Sequence, residues 1–106
     1  MKKTQKKRTF IYNNEKVTLS AEKYTVNNTL AVVMHYKDID EDDVITVNIP
    51  GGTQSDTLAF VDTNNMPDIA RWLTENGIAW ETGIVGTSGY CAYPLMEFDL
   101  ESFNKK

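Results

Sequence analysis

The stretch Asp62-Thr-Asn-Asn-Met-Pro-Asp-Ile-Ala-Arg-Trp-Leu-Thr-Glu-Asn-Gly77 decides the fold, because the chain changes its period there. Ile69, Trp72 and Leu73 stand three and four positions apart and define one apolar helical face. Asn65 suits the cap, Pro67 fits a first turn whose N–H has no partner in any case, and Asp68 complements the dipole. Gly77 provides the stop. The spacing predicts a helix over Met66–Asn76, and no other stretch reads as one.

Outward from it, the period is two. Towards the N-terminus, Thr9–Tyr12 and Lys16–Leu19 flank Asn13-Asn14, residues that tolerate the left-handed conformation of a tight hairpin turn. Leu30–Tyr36 is apolar on both faces, the pattern of a central strand. Val44–Ile49 puts Ile45, Val47 and Ile49 on one face and ends at Pro50-Gly51-Gly52, and Leu58–Asp62 is a further short strand. Towards the C-terminus, Ile78–Gly89 has no clear period, and Cys91–Leu100 reads as a last strand in which Pro94 marks an edge or a bulge. Consecutive strands with short links imply an α+β domain: an antiparallel β-meander of about five strands with one helix packed on a face.

At 106 residues with 41% apolar content, the chain has one domain's worth of core, and a dimer would add buried surface. The expected organisation is a basic tail over residues 1–8 and one domain over residues 9–103. No apolar run approaches a membrane span and the basic start is followed by strand residues, so a soluble, cytoplasmic protein is expected. One cysteine, Cys91, and one histidine, His35, leave no internal disulfide and no Cys/His zinc site within one chain. No cofactor is expected.

The net charge of −4 conceals a division. Lys2, Lys3, Lys6, Lys7 and Arg8 crowd the start and Lys105-Lys106 the end, so the segment between holds four basic residues against all fifteen acids, a net −11. That field disfavours phosphate backbones and suits cations or basic protein surfaces. The basic start either contacts nucleic acid or lipid electrostatically or serves as a solubilising tail. Asp38, Asp40 and Asp42 begin like a calcium loop, but Asp43 stands where glycine is needed and Ile49 where glutamate is needed. An acidic hairpin tip is the alternative.

Two stretches carry the candidate ligand-binding residues. Asp62, Thr63, Asn64 and Asn65 lie where a strand hands over to the helix, and short polar side chains there can read hydroxyls or amides of a ligand. Capping and turn bracing would use the same residues. Gly83–Tyr90 has the glycine density of a loop approaching something closely, although its G-x-x-G-x-x-G spacing matches neither the dinucleotide fingerprint nor the phosphate loop. From it come Gly86, Thr87, Ser88, Gly89 and Tyr90, and Tyr93 follows as an aromatic face. A thiol nucleophile at Cys91, with His35 as base and Asp62 as orienter, needs an activating contact that spacing does not supply.

At Asp62-Thr-Asn-Asn and Ser88-Gly-Tyr-Cys-Ala-Tyr-Pro94 the chain resembles an uncharacterised family of small proteins, a domain of unknown function carried by phages and integrative mobile elements of Gram-positive bacteria. The resemblance covers Leu58–Asp99. It implies a mobile-element accessory protein, with counter-defence as the expected setting, and brings no catalytic residues. The expectation is therefore a non-catalytic binding protein that sequesters a small signalling ligand or inhibits a host defence protein. The rivals are a small hydrolase or transferase using Cys91 or Asp62, and an acidic decoy that binds a protein partner through Asp38–Asp43.

Overall fold

The structure is a computed structural model that describes residues 6–51 and 55–105. Strand β1 (Phe10–Tyr12) turns at Asn13 and Asn14, both with positive φ (51° and 66°), into β2 (Glu15–Lys23). This is the hairpin that the two asparagines predict. β2 is followed by β3 (Leu30–Tyr36) and β4 (Asp42–Val44), and the four make one antiparallel sheet in chain order, a true meander.

The stretch expected as one strand over Val44–Ile49 is instead kinked at Ile45, and β5 (Thr46–Val47) starts a second sheet. The kink has a bonding cause. The Ile45 N–H donates to Val32 O in β3 at 3.0 Å, while its carbonyl accepts from Asp62 N at 2.9 Å, so one fully buried residue is hydrogen-bonded towards both sheets. A single flat strand could not satisfy both bonds.

The second sheet contains β5, β6 (Leu58–Val61), β7 (Ala79–Ser88) and β8 (Cys91–Phe98) in the order β5-β6-β8-β7, every neighbouring pair antiparallel. Among the described residues, eight strands in two sheets thus replace the expected meander of about five in one. The second sheet is also no meander, because the helix carries the chain across and β8 then inserts between β6 and β7.

Helix α1 spans Ile69–Glu75, three residues later at its start than the spacing predicts. Pro67 disfavours helical geometry at Met66, and Asp62 binds Asn65 in a separate turn. Asp68, at the cap position, makes no capping bond and instead accepts the Tyr12 hydroxyl at 2.8 Å. Trp72 packs edge-on against Phe10 and Tyr12 and donates its indole N–H to Ile11 O at 2.7 Å, which fixes the helix on β1. Gly77, at φ 70°, releases the chain into β7.

Residues 83–90, expected as a loop, belong to β7 except at the hairpin turn Gly89-Tyr90. β7 lies at the sheet edge and is exposed along most of its length, so no burial enforces an alternating pattern. Its register shifts between Glu81 and Val85 at a bulge centred on Gly83 (φ 90°), where the Thr82 hydroxyl donates to Leu95 O and accepts from Ile84 N. Pro94 faces Val85 where pairing resumes, so the bulge reading of that proline holds although β8 is an inner strand.

The main core lies between the sheets and α1, with Val17, Leu19, Val32, Met34, Val61, Leu73 and Met96 all fully buried. A second cluster, Phe60, Tyr93 and Leu95, occupies the opposite face of the second sheet, covered by Val47, Ile49, Leu58 and Cys91. A 3-10 turn (Leu100–Phe103) closes the chain. The ends are strapped together: Arg8 N donates to Phe103 O, Lys105 N to Lys6 O, and Lys7 bridges Asn104. Lys6–Arg8 is therefore part of the fold and not a free tail, whereas Lys2, Lys3 and Lys106 lie outside the described residues.

Candidate functional site

Antiparallel pairing brings the two candidate stretches to one end of the second sheet. β6 ends there at Val61, β8 begins there at Cys91, and β7 ends there at Ser88. Asp62–Asn65, Cys91–Tyr93 and Gly86–Ser88 thus occupy three adjacent strand ends. The sequence pattern alone could not order these strands, because the crossover through α1 decides it.

Asp62 is the fixed point of this end. Its N–H is held by Ile45 O, its Oδ1 accepts from Asn65 N at 3.2 Å, and its Oδ2 accepts from the Asn65 side-chain amide at 2.9 Å. Asn65 therefore closes a turn on Asp62 and does not cap α1, a correction to its expected role. Thr63 N donates to Val61 O, which turns the next two side chains away from the strand. The side chains of half-buried Thr63 and exposed Asn64 make no hydrogen bond among the described residues.

Two phenols sense the Asp62 carboxylate. The pKa of Tyr93 is raised by its hydrogen bond with the Cys91 thiol, then by burial, and further by Asp62. That of Tyr24 is raised by burial and by Asp62, against a lowering from its bond to Thr46. The Tyr24 hydroxyl lies 2.9 Å from Thr46 Oγ1, and beside it Asn27 donates to Asn48 Oδ1. Tyr24, Thr46, Asn27 and Asn48 escape a reading of the sequence. They lie far from residue 62 along the chain, and only the kink at Ile45 carries the first sheet alongside the second.

The remaining candidates divide by role. Gly86 is structural: a Cβ there would stand 2.5 Å from Phe60 Cε1 and 3.0 Å from Ile49 Cδ1, so glycine is what lets the Phe60 ring lie across β7. Tyr93 is 8% exposed and packs in the second cluster, so its ring is no open stacking surface. Thr87 and Ser88 are exposed with hydroxyls that make no hydrogen bond among the described residues. Gly89, at φ 62°, makes the turn that holds Tyr90 fully in solvent.

Cys91 is half-buried beside Tyr93, and no imidazole serves it. Both ring nitrogens of His35, the chain's single histidine, are engaged on the first sheet, Nε2 with Ser20 Oγ and Nδ1 with Asp42 Oδ1, each at 2.8 Å. In the acidic hairpin, Asp43 likewise accepts from the Tyr36 hydroxyl, whereas Asp38, Asp40 and Glu41 are solvent-exposed. A cavity of about 420 Å³ lies elsewhere, between the terminal strap and the 3-10 turn, lined by Arg8, Asp99, Glu101, Asn104 and Lys105. Its charged walls are open to water and sit apart from the strand ends described above.

Residues 18–106 match the family model described as Domain of unknown function (DUF4313), and the chain belongs to that family. No curated protein and no solved structure gives a significant match. No helix among the described residues is long and apolar enough to cross a membrane.

Proposed function

We propose that the protein binds a small polar ligand at the end of the second sheet, without covalent chemistry at Cys91 or Asp62. The reading rests on one observation: Thr63 and Asn64 carry polar side chains with no hydrogen bond among the described residues, beside an Asp62 carboxylate that accepts two bonds from Asn65 and whose backbone N–H is held by Ile45 O. A rigid acceptor flanked by two adaptable hydrogen-bonding groups favours ligands with hydroxyl or amide donors. The net −11 between the basic ends argues for an uncharged or cationic ligand over a phosphorylated one. In a phage or mobile element the corresponding role is counter-defence, the removal of a small signalling molecule from the host's response.

Native mass spectrometry of the purified protein, followed by calorimetric titration of what it retains, tests this. Replacing Thr63 and Asn64 together with Ala abolishes binding while the thermal midpoint holds. Undiminished binding by the double variant sinks the assignment. A second reading, inhibition of a basic host protein, is favoured by Ile39, half-exposed among Asp38, Asp40 and Glu41, which offers an apolar anchor inside an acidic rim. Salt separates the two, since association through the acidic hairpin weakens steeply with ionic strength and binding of a neutral ligand does not.

A further inference from the structure

Three adjacent strands of the first sheet line up a hydroxyl, an imidazole and a carboxylate on the face away from the main core. Ser20 comes from β2, His35 from β3 and Asp42 from β4. The order of contacts is chemically specific. Asp42 Oδ1 meets His35 Nδ1 at 2.8 Å, and Ser20 Oγ meets His35 Nε2 at 2.8 Å. With the Nδ1 proton directed to the carboxylate, the Nε2 lone pair is left to accept the proton of Ser20, which is the tautomer a general base requires.

The surroundings bear on what could react there. Val33 lies directly across from Ser20 in the register, and Val44 across from Val33, half-exposed. They form a shallow apolar strip next to the hydroxyl. Thr18, across from His35 on the same face, has a hydroxyl with no hydrogen bond among the described residues. Ladder N–H groups point along a sheet and not out of its face, so no pair of backbone donors converges above Ser20.

We propose that Ser20 is an activated nucleophile that takes acyl groups from small activated esters, with His35 as general base and Asp42 as the residue that positions the imidazole. Ser20 Oγ bonds to the acyl carbon as its proton passes to Nε2. The ester C–O bond breaks, and the leaving alkoxide takes that proton from His35. Water, deprotonated by the same nitrogen, then releases the acid and restores the hydroxyl. With no backbone donors converging on the developing oxyanion and only hydroxyls such as that of Thr18 on the same face, turnover is slow and the acyl-serine accumulates. The site lies on the other sheet from Asp62 and is independent of the binding reading above.

The test uses the full chain with Cys91→Ala, which removes the competing thiol, and p-nitrophenyl acetate as the probe. Intact mass and peptide mapping read the adduct, and nitrophenolate release reads the rate. One acetyl group on Ser20 is expected. Ser20→Ala is expected to abolish the serine adduct and its burst, and His35→Gln to lower the burst rate at least about a hundredfold, the lower end of the range for general-base assistance. Ser20 and His35 are not core residues, so circular dichroism of both variants should match the parent. Asp42→Asn is expected to keep the adduct but alter the dependence of its formation on pH, which a purely structural role would not do. Acetylation confined to lysines, or Ser20 labelling that is unchanged in His35→Gln, overturns the proposal.

Discussion

The two sheets solve the same problem in different ways. The first buries one face and leaves the other wet, so Val17 and Leu19 point inwards while Lys16, Thr18, Ser20 and Glu22 point outwards. The second is apolar on both faces: Ala59, Val61 and Met96 enter the main core, and Phe60, Tyr93 and Leu95 enter a cluster of their own. A wet face tolerates change and is free to carry chemistry, whereas a sheet packed on both sides presents polar groups at its strand ends and edges. The Asp62 turn lies at such an end, and the Ser20–His35–Asp42 chain lies on the wet face.

The contrast breaks most visibly at Phe60. Phe60→Ala should cost about 3–5 kcal/mol, as for a buried aromatic in a main core. On the first sheet's wet face, Glu22→Ala should stay within about 0.5 kcal/mol. Urea unfolding of both decides it. If Phe60→Ala were as mild as Glu22→Ala, the second cluster would be a surface patch and not a core. Gly86→Ala probes the same cluster from the opposite strand, and should cost about 1–3 kcal/mol because the new Cβ meets the Phe60 ring at 2.5 Å. Adding Phe60→Leu should recover part of that loss, since the clash is with ring atoms.

The first sheet has its own signature in alkali. Tyr36 is pushed up to about 12 by burial and by its hydrogen bond to Asp43, and Tyr12 is raised further still by burial and its bond to Asp68. A raised phenol keeps its proton in the folded state after the unfolded chain has lost it. The resulting stabilisation is fully present below the ordinary value of 10 and is lost as pH rises through the folded values. Thermal midpoints should hold up to about pH 10 and fall beyond it. Tyr36→Phe should flatten the part of that fall between pH 10 and 12. A midpoint insensitive to pH across that window would contradict the buried phenol contacts. The smallest effect on stability is expected from Thr63→Ala with Asn64→Ala, within about 0.5 kcal/mol.

Much of the first sheet can be read from its residues. Asn13-Asn14 names the turn, and a strand apolar on both sides, Leu30–Tyr36, names the inner position. The second sheet resists such reading for physical reasons. β7 is an exposed edge with a bulge at Gly83, so nothing imposes a period on it. The kink at Ile45 is equally hidden, since Ile45, Val47 and Ile49 look like one face of a single strand. In the structure Ile45 enters the main core, while Val47 and Ile49 enter the second cluster. Of the candidate site, Asp62–Asn65 and Gly86–Ser88 could each be singled out from their letters, but their arrival at one end of the second sheet could not, because the crossover through α1 decides it. The roles of Asn65, Gly86 and Tyr93 were not legible either, because a side chain that closes a turn or packs against a ring leaves the same letter in the sequence as one that waits for a ligand.

The strap between Lys6–Arg8 and Phe103–Lys105 bears on how the molecule assembles in time. The β1–β2 and β7–β8 hairpins close across turns of two residues, whereas the strap joins positions separated by almost the whole chain. Loop-closure entropy makes that contact the slowest to gain if it forms first, and cheap once the strands between are in place. The order of events is therefore hairpins, then sheet against sheet around Ile45, then the strap. Under native conditions the sequence runs in reverse, and the amides of Arg8 and Lys105 should exchange with solvent long before that of Ile45.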